Sequence, residues 1–232
     1  MSHAHATLGK PKSEILIVVA TLALVIFYYL LRTDVIATFS SGRGALPMTK
    51  APLPPTLHFV GAALILAVFP VLVARFGFGM RLSQLGLGLG RWHAGLAWLA
   101  IGIPLALLAG KIGSSNPQMR FVYPLNTSVQ PEISGFVPYA LLQFLYFGAW
   151  EVLFRGVLLF GLKDRIGAGP ANALQTALSV IAHFGRPFTE TFIGVPAGLI
   201  LGGVSLRVRS MWYIAIIHWV VGISLDWFIL TH

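Results

Sequence analysis

The sequence predicts an all-α fold, a polytopic membrane bundle of about seven transmembrane helices with its functional groups inside the bundle. Three observations predict it. Of 232 residues, 56% are hydrophobic and only 10% charged, where a soluble globular chain is nearer a quarter charged. Apolar runs close to membrane-spanning length recur between charged or Pro/Gly-rich breaks. The few ionisable residues inside those runs fall at helical spacing.

The first run, Ile15 to Leu31, follows a polar start with Lys10 and Lys12. It is longer than a signal-peptide core and no small-residue cleavage pattern precedes Arg32, so it reads as a retained helix. Phe59 to Ala74 is the second, with Pro70 expected to kink it, and Ala94 to Gly110 the third, with Pro104 inside. Between them, Arg75 to His93 has the leucine-glycine pattern of an amphipathic interfacial segment (Leu82, Leu85, Leu87, Leu89). Phe136 to Leu162, Ala171 to His183, Phe192 to Leu206 and Met211 to Leu230 complete the set. The fifth and sixth are short, as expected of helices buried in a bundle. The longest polar stretches are Arg32 to Thr56 and Lys111 to Ser134. Residues 1–232 are expected to form a single integral membrane domain.

The net charge of +9 does not indicate nucleic acid, because the basic residues sit singly or in pairs as membrane-flanking anchors. Lys10, Lys12, Arg75, Arg81, Arg91, Lys163, Arg165, Arg207 and Arg209 outnumber Arg32, Arg43, Lys50, Lys111, Arg120 and Arg186 on alternate sides, which places the N-terminus inside. The localisation expected is multi-pass in a bacterial inner (plasma) membrane. With no cysteine, disulfides, thiolate metal sites and cysteine nucleophiles are excluded.

Ionisable groups at mid-membrane depth cost on the order of 3 kcal/mol each and are functional by default. Glu151 and Arg155 lie in the fourth run, His183 ends the fifth, and His218 and Asp226 lie in the seventh. Gln143, Glu151 and Arg155 share one i, i+4 stripe, as do Gln175, Ser179 and His183, and His218, Gly222 and Asp226. Three helices are thus expected to turn one polar face each to a common centre, with Glu151, His183 and His218 roughly 12 to 18 Å from the inner helix ends. A carboxylate and two imidazoles suffice for general acid/base hydrolysis. Other classes stay open: a structural Glu151–Arg155 pair, a proton relay in a transport or scaffold protein, or a bis-histidine haem site on His183 and His218.

The run Trp150-Glu151-Val152-Leu153-Phe154-Arg155-Gly156 resembles the E-E-x-x-x-R-G motif of the CAAX protease and bacteriocin-processing (CPBP, or Abi) family of glutamic intramembrane endopeptidases. His183-Phe184-Gly185-Arg186-Pro187, followed by Glu190, resembles its second motif. The glycine-rich stretch from Gly198 to Leu206, then Ser210 and His218, resembles its closing block. The resemblance places a catalytic core at 136–227. It implies peptide-bond hydrolysis by activated water, without metal or other cofactor, on a membrane-anchored protein or peptide: a CAAX protein, a maturing secreted peptide or a C-terminal sorting signal. It also implies roles: Glu151 or Glu190 as general base, His183 positioning the water, His218 donating to the oxyanion and Arg155 holding Glu151 ionised. The chain departs from the pattern at Trp150, where a first glutamate is usual, at Gly222, where Asn is frequent, and at Ser179, where an aromatic is usual. Glu190 supplies the missing carboxylate if the Pro187 loop folds back into the cavity. Gly194, Gly198, Gly202 and Gly203 suit close helix approach, while Trp212, Tyr213, Trp219 and Trp227 suit packing or interfacial anchoring.

Overall fold

The computed structural model describes residues 10–31, 55–125 and 129–232, and these form eight helices with no strand. They are α1 (Lys10–Leu31), α2 (Thr56–Gly77), α3 (Trp92–Ser114), α4 (Pro117–Val122), α5 (Ile133–Ile166), α6 (Ala168–Ile181), α7 (Phe188–Val208) and α8 (Trp212–Thr231). All but α4 and α6 are long and apolar enough to cross a membrane. All seven predicted runs are helical, so the polytopic helical bundle stands. The fifth, now α6, has only 14 residues, about 21 Å at 1.5 Å per residue, short of a ~30 Å hydrocarbon core. Most of the polar stretch from Arg32, with Arg43 and Lys50, lies outside the described residues.

The order of burial follows from composition. The long helix α5 is the axis, buried without a break from Tyr146 to Leu162, and its apolar residues Leu153, Phe154, Leu158 and Leu159 meet Leu16, Phe27 and Phe59 from α1 and α2 in one core. The outward faces of α1, α3 and α7 remain leucine-, isoleucine- and phenylalanine-rich, as lipid contact requires. Helix α3 lies against α8 through small residues. A Cβ at Gly102 would stand 2.3 Å from Ile217, and one at Gly110 would stand 2.0 Å from Ser224. Only such residues allow this approach.

Helix α2 continues past Pro70, which lies between two π-helical stretches, Ala63–Val68 and Val73–Gly77, whose wider turns absorb the missing N–H. The segment after α2 folds as a single 3₁₀ turn, Leu82–Leu85, followed by glycine turns. Of its leucines, Leu85 is fully buried, whereas Leu82 and Leu89 are exposed. This segment clasps the α7–α8 turn. Gly86 and Leu87 carbonyls accept from Met211 N and Trp212 Nε1 (3.0 and 2.9 Å), Leu89 O accepts from Tyr213 OH (2.8 Å), and Arg91 N donates to Val208 O (2.7 Å). Gly90 sits at φ +56° with a Cβ position 2.2 Å from Val208 O, so no other residue fits.

Of the α7 glycines, Gly198 and Gly202 face α6, where a Cβ would strike Thr176 at 2.7 Å and Asn172 at 1.9 Å. Gly203 meets nothing and Gly194 only ordinary contact. Gln175, fully buried, bridges α6 to α7 by donating to Gly198 O at 3.1 Å. It glues helices and stands apart from the catalytic candidates.

Candidate active site

Helices α5 and α8 meet in layers one helical turn apart. In the first layer Glu151, with no exposed surface, accepts from Arg155 Nη1 at 3.1 Å and lies 2.8 Å from His218 Nδ1. Arg155 Nε also comes within 3.1 Å of the second carboxylate oxygen, although too bent for a hydrogen bond. Arg155 sits in the π-helical stretch Val152–Phe160, so the helix widens directly after the carboxylate. In the next layer Phe147 fills the space beside Gly222, where a Cβ would fall 2.3 Å from its ring, and its edge meets His218 (centroids 4.7 Å). In the third, Asp226 accepts from Tyr139 OH at 2.6 Å and Gln143 Nε2 at 2.9 Å. The expected common centre is thus divided: Gln143 and Asp226 form a buried cluster of their own, separated from Glu151 and His218 by an aromatic ring.

His183 follows α6 in the loop to α7. Its Nδ1 is 2.7 Å from Ser179 O; a carbonyl can only accept, so Nδ1 carries a proton, and because burial pushes His183 below its ordinary value the ring is neutral and Nε2 keeps its lone pair. Pro187 does turn the chain back: it is the residue before α7, and Glu190 occupies that helix's first turn. Glu190 Oε1 lies 3.9 Å from His183 Nε2 and accepts from Tyr123 OH at 2.8 Å, while its Oε2 is buried with no donor. Burial pushes the Tyr123 phenol well above the ordinary value of 10.0, against an opposing pull from Arg186, so the hydroxyl remains a donor.

His183, Glu190 and His218 share one cavity of about 40 Å³, walled by Tyr28 of α1, Tyr123, Tyr146, Phe147 and Trp150 of α5, and Arg186. Glu151 lies behind His218 and outside this wall. A water needs roughly 10–15 Å³ by the same measure, so the space suits a few waters and not a porphyrin between the two histidines. No three His, Asp or Glu side chains among the described residues converge as a metal-ligand set.

Two acceptors, His183 Nε2 and Glu190 Oε1, face across a gap that one two-proton donor would bridge. Residues 132–224 match the family model of the type II CAAX prenyl endopeptidase Rce1-like proteins. This is a family of proteases that act on membrane-anchored proteins. No curated protein and no solved structure matches the chain. The Rce1-like segment contains Glu151, Arg155, His183, Glu190 and His218; Tyr123 and Asp226 fall outside it.

Within the Rce1-like segment, Trp150 lines the cavity, its indole edge 5.1 Å from the His183 ring. Tyr123, Arg186, Tyr146 and Phe147 were not singled out by sequence as site residues. Tyr123 carries no local signal, since only the tertiary return of the loop before α5 brings it to Glu190. The four aromatics expected to anchor or pack do so: Trp219 Nε1 donates to Ala140 O at 2.7 Å, and Trp227 packs on Phe136.

Proposed function

We propose that the protein is an intramembrane endopeptidase that hydrolyses a peptide bond near the C-terminus of a membrane-anchored protein. The observation that carries this reading is the 3.9 Å gap between His183 Nε2 and Glu190 Oε1 inside a largely enclosed cavity; the Rce1-like match supports it. A water in the gap gives one hydrogen bond to each acceptor and keeps an oxygen lone pair for attack. Glu190 takes the water proton as the oxygen bonds to the substrate carbonyl. His218, protonated beside the Glu151 carboxylate, donates through Nε2 to the oxyanion. When the carbon–nitrogen bond breaks, His183 relays the proton from Glu190 to the leaving amine.

In this mechanism Glu151 is not the base. Its oxygens are committed to Arg155 and His218, so it orients His218 and stabilises its charge. The chain is placed in a bacterial inner membrane with its N-terminus inside, which reporter fusions at either end test.

The deciding experiment uses purified protein in lipid nanodiscs with a prenylated CAAX peptide, following products by mass spectrometry. A single cleavage near the C-terminus, lost in His183→Ala, is the expected result. Intact peptide in the presence of folded wild-type protein refutes the peptidase reading.

A further inference from the structure

We propose that Arg186 anchors a free carboxylate at the end of the substrate, forming an anion subsite within the cavity; the inference rests on the peptidase reading above. Arg186 lines the same cavity as His183, Glu190 and His218. Its guanidinium lies over the Tyr123 ring, with Cζ 5.5 Å from the centroid. Among the described residues no carboxylate lies within ion-pair distance of it and no group accepts a hydrogen bond from it. The ion pairs formed there are Glu151 with Arg155 and His218, and Lys163 with Asp164, while Glu190 lies 3.9 Å from the neutral His183 ring.

Arg186 is half-buried, and its N–H donors, which have no acceptor among the described residues, stay accessible from the cavity, where a ligand can supply one. The contact with the Tyr123 ring face holds the guanidinium at the cavity wall without using its N–H donors. A planar fork presented this way matches a carboxylate, which takes two parallel hydrogen bonds. Glu190 does not fill the fork, since its Oε1 is held by Tyr123 OH and faces His183.

The subsite is fixed relative to the proposed water site. Arg186 N donates to His183 O at 2.9 Å, closing one turn between the two. The Tyr123 ring bridges them, 5.5 Å from the guanidinium at its centroid and 2.8 Å from Glu190 at its hydroxyl. An extended chain advancing ~3.3–3.6 Å per residue covers a span of that order in about two or three residues. A carboxylate on Arg186 therefore sets where the cut falls, by measuring back from the chain end.

The test is binding of an N-dansyl trileucine peptide, as free acid and as C-terminal amide, to wild-type protein in nanodiscs. The peptide mimics a released end, so no turnover is needed. The acid should bind at least tenfold tighter than the amide. Arg186→Gln should bring the acid down to the amide's level and leave the amide unchanged, and Arg186→Lys should retain part of the preference. Equal binding of acid and amide by the wild type, including no measurable binding of either, overturns the subsite, as does an equal loss of both in Arg186→Gln. An acid preference in a protein that cleaves nothing would sink the peptidase reading and leave the subsite. Cleavage with no acid preference would do the reverse.

Discussion

Trp150 donates its indole N–H to Ser179 Oγ at 3.3 Å. Two of the three positions at which the chain departs from the CPBP pattern are therefore in contact. The aromatic usual four residues before the second-motif histidine is supplied from α5 instead, and Trp150 packs edge-on against His183 in its place. In the proposed mechanism Glu190, across the cavity, takes the part of the carboxylate usual at position 150.

The proposed bases separate by stability. Glu190→Gln should lower cleavage at least tenfold, a barrier increase of about 1.4 kcal/mol, with little change in thermal unfolding, because Glu190 has no guanidinium partner. Glu151→Gln should destabilise by roughly 3–5 kcal/mol, the cost of leaving one member of a buried pair alone. Rates normalised to folded protein, measured beside melting curves, check both; full activity in Glu190→Gln removes it as the base.

If Glu151 acts by orienting His218, removing both charges should mend the fold and not the chemistry. Glu151→Gln combined with Arg155→Met should recover most of the stability lost in the single variant. Cleavage should stay at the single-variant level. A double variant as active as wild type would mean that His218 needs no carboxylate.

Tyr123→Phe deletes the donor to Glu190. A hydrogen bond to a charged group contributes about 1.5–3 kcal/mol, so the rate should fall roughly ten- to a hundredfold. The raised Tyr123 value also has a sign. Its stabilisation is complete below the unfolded value of about 10 and is lost as pH climbs toward the higher folded value. Unfolding curves from pH 9 to 11 should therefore show wild type losing its advantage over Tyr123→Phe only at the alkaline end.

Gly222 is the third departure, and Phe147 occupies the space a side chain would need. Gly222→Asn should overpack the α5–α8 contact and cost about 1–3 kcal/mol, pressing the ring toward His218. Adding Phe147→Ala should relieve the clash. Stability that fails to return in the pair would place the strain elsewhere.

The proposed chemistry needs no metal ion. Cleavage should persist after 1,10-phenanthroline and exhaustive dialysis against chelator. Loss of activity that zinc restores would replace the glutamate-activated water with a metal-bound one.

The helices were legible because lipid imposes a simple rule on composition, and each apolar run from Ile15 to Leu230 folded as a helix. The stripe at Glu151 and Arg155 was legible from i, i+4 spacing. Spacing could not reveal that Phe147 would wedge between the layers and split off Gln143 and Asp226, because a stripe reports one helix's face and not what the facing helix inserts. Nor could it place Tyr123 or the return of Glu190, which depend on how loops close. The leucine-glycine pattern after α2 did not show that Leu85 would be buried against other helices or that the glycine turns would clasp the α7–α8 turn, because neither partner is near in sequence.

The clasp from Gly86 to Arg91 has a further consequence. It lies outside residues 132–224, yet it holds the turn where α7, which bears Glu190, ends and α8, which bears His218, begins. The Rce1-like segment is therefore not a portable unit. Grafted alone onto another membrane scaffold, it would leave behind the strap that keeps its last two helices in step, and any transplant of the activity has to carry this short stretch of the other half with it.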